Sequence, residues 1–158
     1  MASDRVFYSK EKNDLFLKLS KTKQKTNEGI FDNNKDLFLF VMALGYKHEK
    51  KIPLKKKDNT IPLAVFQKSK NNIDFIDLIA LGDTKNIYIL DWDDEKIVEK
   101  KLEIIEEYAN GGLEIIEKEL FNNNTDIYDN LLQLINIELT SNIKKEVIND
   151  ISDIASLI

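Results

Sequence analysis

The sequence predicts a mainly α fold, a compact single-domain bundle of about five to six helices spanning residues 1–158. Apolar residues recur at helical spacing along most of the chain, as in Val98, Leu102, Ile105 and Ala109, and so fall on one face of a helix. Two prolines and five glycines in 158 residues leave few points at which helices must stop. The apolar share of 42% and the charged share of 32% are those of a soluble globular protein, at a length that makes one ordinary domain.

Residues 1–29 form a lysine-rich segment whose apolar cluster, Leu15, Phe16, Leu17 and Leu19, predicts a short helix docked on the body. Residues 21–27 are polar and read as a loop. Asp32, Asn33 and Asn34 supply N-cap oxygens for a helix whose run from Leu37 to Leu44 is almost wholly apolar, so it has no solvent face and belongs at the centre. Gly45 fits a left-handed ending for that helix, with Tyr46 folding back on Val41.

Residues 47–66 are the one stretch with β character. Ile52-Pro53-Leu54 and Thr60-Ile61-Pro62-Leu63 flank a charged tip, Lys55-Lys56-Lys57-Asp58-Asn59. A short hairpin and an irregular basic loop both fit, and the prolines confine either run to an edge.

Helices fill the remainder. Asn71-Asn72 cap one that carries Ile73, Ile76, Ile79 and Ala80, with Gly82 as its stop. Asp93 caps the next, where Trp92 and Ile97 make a hydrophobic staple. Asn110-Gly111 offers a left-handed ending to it, and Leu113, Ile116 and Leu120 form a stripe beyond Gly112 as far as residues 122–124. Thr125-Asp126 opens a helix with Ile127, Leu131, Leu134 and Ile135. Ser141 or Asn142 opens a last one, 141–158, whose Ile143, Val147, Ile151, Ile154 and Ile158 recur at helical spacing and make it a candidate interaction element.

The net charge of −5 conceals an asymmetry: residues 1–70 carry 16 Lys and Arg against 8 Asp and Glu, whereas residues 71–158 carry 7 against 20. Either the basic half meets an external polyanion or the two halves pair with each other, since charge patterning bears on association and not on fold. Lys50, Lys51, Lys55, Lys56 and Lys57 are the candidate phosphate contacts. Without arginine or interleaved aromatics they read no bases, so any DNA contact is a non-specific backbone one.

The residue types that make covalent chemistry are sparse. Cysteine is absent and His48 is the only histidine, which removes thiol nucleophiles and zinc-thiolate sites and leaves one histidine in a lysine-rich loop. Asp91-Trp92-Asp93-Asp94-Glu95 resembles the start of a calcium loop, but Lys96 and Leu102 stand where glycine and a bidentate glutamate are required. Asp94-Glu95-Lys96 and Glu99-Lys100-Lys101 match half of a restriction-nuclease motif, which makes Asp91, Asp93, Asp94 and Lys96 the candidates for a metal-dependent nuclease. That motif works from a strand, whereas these residues sit in an amphipathic helix. Gly111-Gly112 has neither a partner glycine nor a following Lys-Ser or Lys-Thr, so it is not a phosphate loop. No catalytic, metal or cofactor residue is assigned. Tyr108, Asn110, Gly111 and Gly112 are the candidate partner-binding residues, as a bare backbone patch beside a tyrosine. A tight helix corner accounts for the same glycines.

Several short blocks carry a resemblance: Gly29-Ile30-Phe31, Lys35-Asp36-Leu37-Phe38, Ala43-Leu44-Gly45-Tyr46, Pro53-Leu54-Lys55, Val65-Phe66, Leu78-Ile79-Ala80-Leu81 and Glu107-Tyr108-Ala109-Asn110-Gly111-Gly112-Leu113. In order and spacing over about residues 28–120 the sequence resembles the DNA-phosphorothioation (dnd) system-associated protein 4 family, the Tyr-Ala-Asn-Gly-Gly string being the most specific piece. The resemblance does not extend to 141–158 and carries over no catalytic residue. It implies a non-enzymatic accessory or adaptor protein of a bacterial anti-phage system linked to DNA modification, bound to protein subunits of a defence or restriction complex. The alternative is a nucleic-acid-binding regulator of the same system using the basic first half. The N-terminus lacks an apolar core and the longest apolar run, Leu37 to Leu44, is too short to span a bilayer, so the expected location is cytoplasmic, with no membrane partner.

Overall fold

The computed structural model describes residues 4–21, 29–57, 59–121 and 126–155. The expected loop at 21–27, beyond Lys21, and the helix stop at 122–124 lie outside them. The chain is mainly helical, as expected, and divides into two compact units, 1–117 and 118–158.

The first unit opens with strand β1 (Arg5–Tyr8), then helix α1 (Asn13–Leu19) and helix α2 (Asn34–Lys47). Strand β2 (Asn59–Pro62), helix α3 (Leu63–Gln67), helix α4 (Lys70–Thr84) and helix α5 (Glu95–Phe121) follow. Among the described residues of 47–66 no hairpin forms. The Ile52-Pro53-Leu54 run stays irregular, and β2 pairs instead with β1, antiparallel, from Arg5 opposite Pro62 to Tyr8 opposite Asn59. Alternation decides this pairing: Val6, Tyr8 and Ile61 turn inward and are buried, which commits the register.

Asn33 caps α2, its Oδ1 accepting from the Asp36 amide at 2.9 Å. No residue from Asn33 to Tyr46 is exposed, so α2 is the central helix that its apolar run predicts. Phe38 meets Phe66 edge-on at 5.6 Å, and Tyr8 stacks on Phe16 at 4.0 Å, tying α3 and α1 into one core.

The helix endings correct the sequence reading of the glycines. No glycine among the described residues has positive φ. The left-handed residue after α2 is Glu49, at φ 51°, with Lys50 N–H donating to Gly45 O at 2.8 Å and Glu49 N–H to Tyr46 O at 3.0 Å. That is a Schellman ending four residues beyond the predicted one. Likewise α4 runs through Gly82 and turns off at Lys85, φ 53°. It begins at Lys70, ahead of the predicted Asn71-Asn72 cap. The start of α5 is one residue later than predicted: Asp94 Oδ1 accepts from Lys96 N at 2.9 Å and Trp92 is drawn away to Asp77 instead of stapling to Ile97.

In the second unit, helix α6 (Ile127–Ala155) is continuous. The boundary expected at Ser141 or Asn142 is absent because the hydroxyls there bond backward within the helix, Thr140 to Asn136 O at 2.6 Å and Ser141 to Glu138 O at 3.0 Å. Asn130 Nδ2 donates to Leu120 O at 3.2 Å, holding the start of α6 to the end of α5.

Candidate functional site

The partner-binding candidates Tyr108, Asn110, Gly111 and Gly112 and three of the five candidate lysines, Lys50, Lys51 and Lys57, meet along α5. Their roles differ from those expected, because the glycines do not end a helix. Gly111 and Gly112 lie inside α5, where the missing side chains admit other backbone segments. A Cβ on Gly112 would stand 2.7 Å from the Val41 carbonyl carbon of α2, and one on Gly111 2.7 Å from that of Lys50. Gly45 repeats the arrangement from the α2 side, where a Cβ would lie 2.9 Å from the Tyr108 carbonyl carbon. The predicted bare patch is therefore already filled by the chain itself, and Tyr108 and Asn110 are buried with it.

These same residues hold the lysine loop. Asn110 Nδ2 donates to the carbonyls of Ile52 at 3.2 Å and Pro53 at 3.3 Å, and Ile52 N–H donates to Glu107 O at 3.0 Å. The loop thus starts as a backbone strip laid across α5 at the one place where glycine lets it approach.

Charge then decides what the five lysines do. Lys50 pairs with Glu114 at 3.2 Å, Lys51 with Asp83 at 3.0 Å and Glu107 at 3.7 Å, and Lys57 with Glu106 at 2.9 Å. Lys12 also pairs with Glu117. Within residues 1–117, basic residues from the first half of the sequence are in this way paired with acidic residues of α4 and α5. Lys55 and Lys56 are exposed, and neither has an ion pair with another described residue.

Two carboxylates beside these residues, Asp83 of α4 and Glu106 of α5, are pushed in opposite directions. Burial favours the neutral form of Asp83, but hydrogen bonds from Tyr108 Oη at 2.7 Å and from Lys51 Nζ outweigh it, and its carboxyl sits below the usual range. Burial, followed by the negative charge of Asp83, pushes the Tyr108 phenol up. Glu106 is only 2% exposed, and burial raises it despite the Phe7 amide, which donates to Oε1 at 2.9 Å, and despite Lys57. The Lys57 ammonium reaches Oε2 as an ion pair that falls short of a directed hydrogen bond. Beside this pair is a cleft of about 480 Å³ lined by Phe7, Lys57, Lys96, Lys100, Glu103 and Glu106 among others.

A second polar cluster was not singled out by sequence reasoning. Lys101 is completely buried; its ammonium donates to Asp77 at 2.6 Å and stands 3.7 Å from the centre of the Trp92 ring. Trp92 Nε1 donates to the same carboxylate at 3.0 Å. The signal was present, since Lys101 falls three residues after Val98 and four before Ile105, inside the apolar stripe of α5. This cluster locks the α4–α5 connection to α5.

Asp91 and Asp94, two of the nuclease candidates, spend Oδ1 on backbone amides, Asp91 on Asp93 at 2.8 Å and Asp94 on Lys96 at 2.9 Å. Among the described residues no group of three His, Cys, Asp or Glu side chains is placed to hold a metal ion. Nor is any helix, among these residues, long and apolar enough to cross a membrane.

The model of the family described as DNA sulphur modification system-associated protein 4 matches residues 5–154. That span reaches beyond residues 28–120 at both ends and takes in all of α6 but its last residue. No curated protein and no solved structure matches the chain.

Proposed function

The chain belongs to the DNA sulphur modification system-associated protein 4 family, and we propose that it serves such a system as a non-enzymatic accessory protein, an adaptor that works in the cytoplasm by binding another protein subunit of a defence complex. One observation carries this reading. Helix α6 has a buried face, with Asn130, Leu131 and Leu134, and a second apolar face that remains in water. Tyr128, Leu132 and Leu139 are 55%, 49% and 61% exposed, and with Ile135 they follow spacings of 4, 3 and 4 residues, one stripe of a helix. Large apolar side chains in a contiguous row on a soluble protein mark an interaction surface.

The composition of the described part of α6 supports a partner of complementary chemistry. Asp129 and Glu138 accompany the stripe, and no basic residue occurs from Asp126 to Ser141. The complementary surface is therefore an apolar groove with a basic rim, which an acidic amphipathic helix enters by the helix-in-groove mode.

Co-purification of the tagged full-length chain from its native host tests the reading. A stoichiometric protein partner should be recovered, and Leu132→Asp with Leu139→Asp should abolish its recovery while leaving the thermal midpoint of the free protein unchanged. Retention of the partner by the double variant would sink the reading. So would light scattering that finds α6 consumed in self-association, or divalent-metal-dependent cleavage of DNA that Asp93→Ala removes.

A further inference from the structure

The five candidate lysines are not equivalent, and their inequality points to a specific contact. Lys50 and Lys51 belong to a pinned strip: the backbone from Lys50 to Pro53 is bonded to Gly45, Glu107 and Asn110, and both ammonium groups face carboxylates. Beyond Pro53 the support changes. Among the described residues no backbone–backbone hydrogen bond holds Leu54 to Lys57. The tip is tethered through the Lys57 side chain, by its pair with Glu106 and its position 5.5 Å from the Phe7 ring centre.

That tether is lopsided. Glu106 is 2% exposed, whereas the Lys57 side chain is 50% exposed, so the ammonium can swing into solvent while the carboxylate stays buried. Lys55 and Lys56 already face solvent, whereas the lysines of the cleft beside Lys57, Lys96 and Lys100, share its lining with Glu99 and Glu103, and Lys100 is paired with Glu103 at 3.0 Å. Lys55 to Lys57 span at most about 7 Å of chain, which keeps their positive charges within one short stretch of a polyanion.

We propose that Lys55 and Lys56 form a contact for the phosphate backbone of a nucleic acid, beside which the Glu106 carboxylate withholds Lys57, so that Lys57 joins the contact only where that carboxylate does not hold it. Lys50 and Lys51 are structural pins and take no part in the contact. Lysines act as point charges, so the contact is blind to base sequence. The inference rests on the geometry of the loop and is independent of the role of α6.

The experiment is fluorescence anisotropy of the full-length protein on a labelled mixed-sequence duplex across a salt series, with thermal melts of every variant. Each phosphate contact contributes about 0.9 to the slope of log K against log salt. The wild type should therefore show a slope of about 2, and Lys55→Ala with Lys56→Ala should remove it. Glu106→Gln, which frees Lys57 but keeps an acceptor for the Phe7 amide, should tighten binding and steepen the slope by about 0.9. Adding Lys57→Ala to Glu106→Gln should reverse that gain. Glu119→Gln, the same charge change elsewhere on the chain, should leave the slope alone, and Lys51→Ala should lower the melting temperature without changing the slope.

Several results would overturn the proposal. They are no duplex binding at low salt, affinity that tracks base sequence, a Glu119→Gln effect equal to that of Glu106→Gln, and binding to anionic vesicles in place of DNA. Should Glu106→Gln melt cooperatively at a lower temperature, Lys57→Ala in the wild-type background is decisive. It should leave the slope unchanged, because Lys57 is held in reserve there, and a loss of slope would refute the latch.

Discussion

Gly112 in α5 lies against Val41 in α2 so closely that a Cβ at position 112 would be 3.0 Å from the Val41 Cα and nearer still to its carbonyl. Two helix backbones are in contact there with no side chain between them. Neither partner can move aside, because both are main chain within helices and Val41 is fully buried.

Gly112→Ala should therefore destabilise the protein by about 3 kcal/mol, the upper range for overpacking a tight core, outweighing the gain of about 1 kcal/mol that alanine brings inside a helix. Gly82→Ala offers the contrast, since its Cβ would meet the end of the Tyr46 side chain, which can rotate, so about 1 kcal/mol or less is expected there. Urea midpoints of the two variants check the difference. Equal and small losses would show that the α2–α5 contact is not close.

These glycines also show which parts of the fold were legible in the sequence. Glycine is used for positive φ and for close backbone approach, and a sequence displays only the residue, not the use. The punctuation at Gly45, Gly82 and Gly111 was accordingly misread, while the actual left-handed endings fell on Glu49 and Lys85. Helix α2 was legible because a run such as Leu37 to Leu44 has no polar face to present to water. Strand β1 was not, since four residues of weak pattern acquire their meaning from a partner more than 50 positions away. The lysine loop announced its charge but not its pairing: Glu106 is one of a run of acidic residues in α5, yet it is buried under Lys57. Only the register of α5 could have revealed that, since Glu106 follows Leu102 by four residues and precedes Ala109 by three.

Asp83 and Tyr108 make the stability of the protein depend on acid. The carboxyl of Asp83 is lower in the folded protein than in the unfolded chain, so between those two values the unfolded state binds more protons. Its contribution is complete above the ordinary carboxylate range and is lost as pH falls through the lowered value. Tyr108→Phe removes one of the bonds that lowers it and should cost about 1.5–3 kcal/mol at neutral pH, the range for a hydrogen bond to a charged group. It should also bring the acid loss on at a higher pH. Chemical denaturation at a series of pH values tests both, and an unchanged acid limb would remove Asp83 from the account.

Glu106 acts with the opposite sign. Its carboxyl is raised on folding, so in the window between the ordinary value and the raised one the folded state binds the extra proton, and stability from this group falls as pH rises. Glu106→Gln should delete that opposing contribution. Over the same window the stability of the variant should climb more steeply with pH than that of the wild type. A parallel pair of curves would mean that the glutamate titrates alike in both states.

The heaviest single penalty is expected at Lys101. Its ammonium is fully buried, and Asp77 at 2.6 Å together with the face of Trp92 at 3.7 Å replaces the water it gave up. Lys101→Met leaves Asp77 with the Trp92 N–H alone among these donors and breaks a buried pair, which typically costs about 3–5 kcal/mol. Removing both charges with Lys101→Met and Asp77→Leu should recover much of that loss, because a buried pair replaced as a whole by apolar groups is often close to neutral, although the indole N–H then lacks its acceptor. Trp92 is the only tryptophan, so its emission reports on this corner and on no other. The pH behaviour separates this account from simple packing. Burial pulls Lys101 below its ordinary value against the opposing pull of Asp77, so between the lowered value and the ordinary lysine range the unfolded state binds more protons and stability rises with pH. Lys101→Met should lack that alkaline rise. A variant within about 0.5 kcal/mol of the wild type, as for an ordinary surface substitution, with the rise intact, would show that Lys101 reaches solvent and that the cluster does not hold α5 in place.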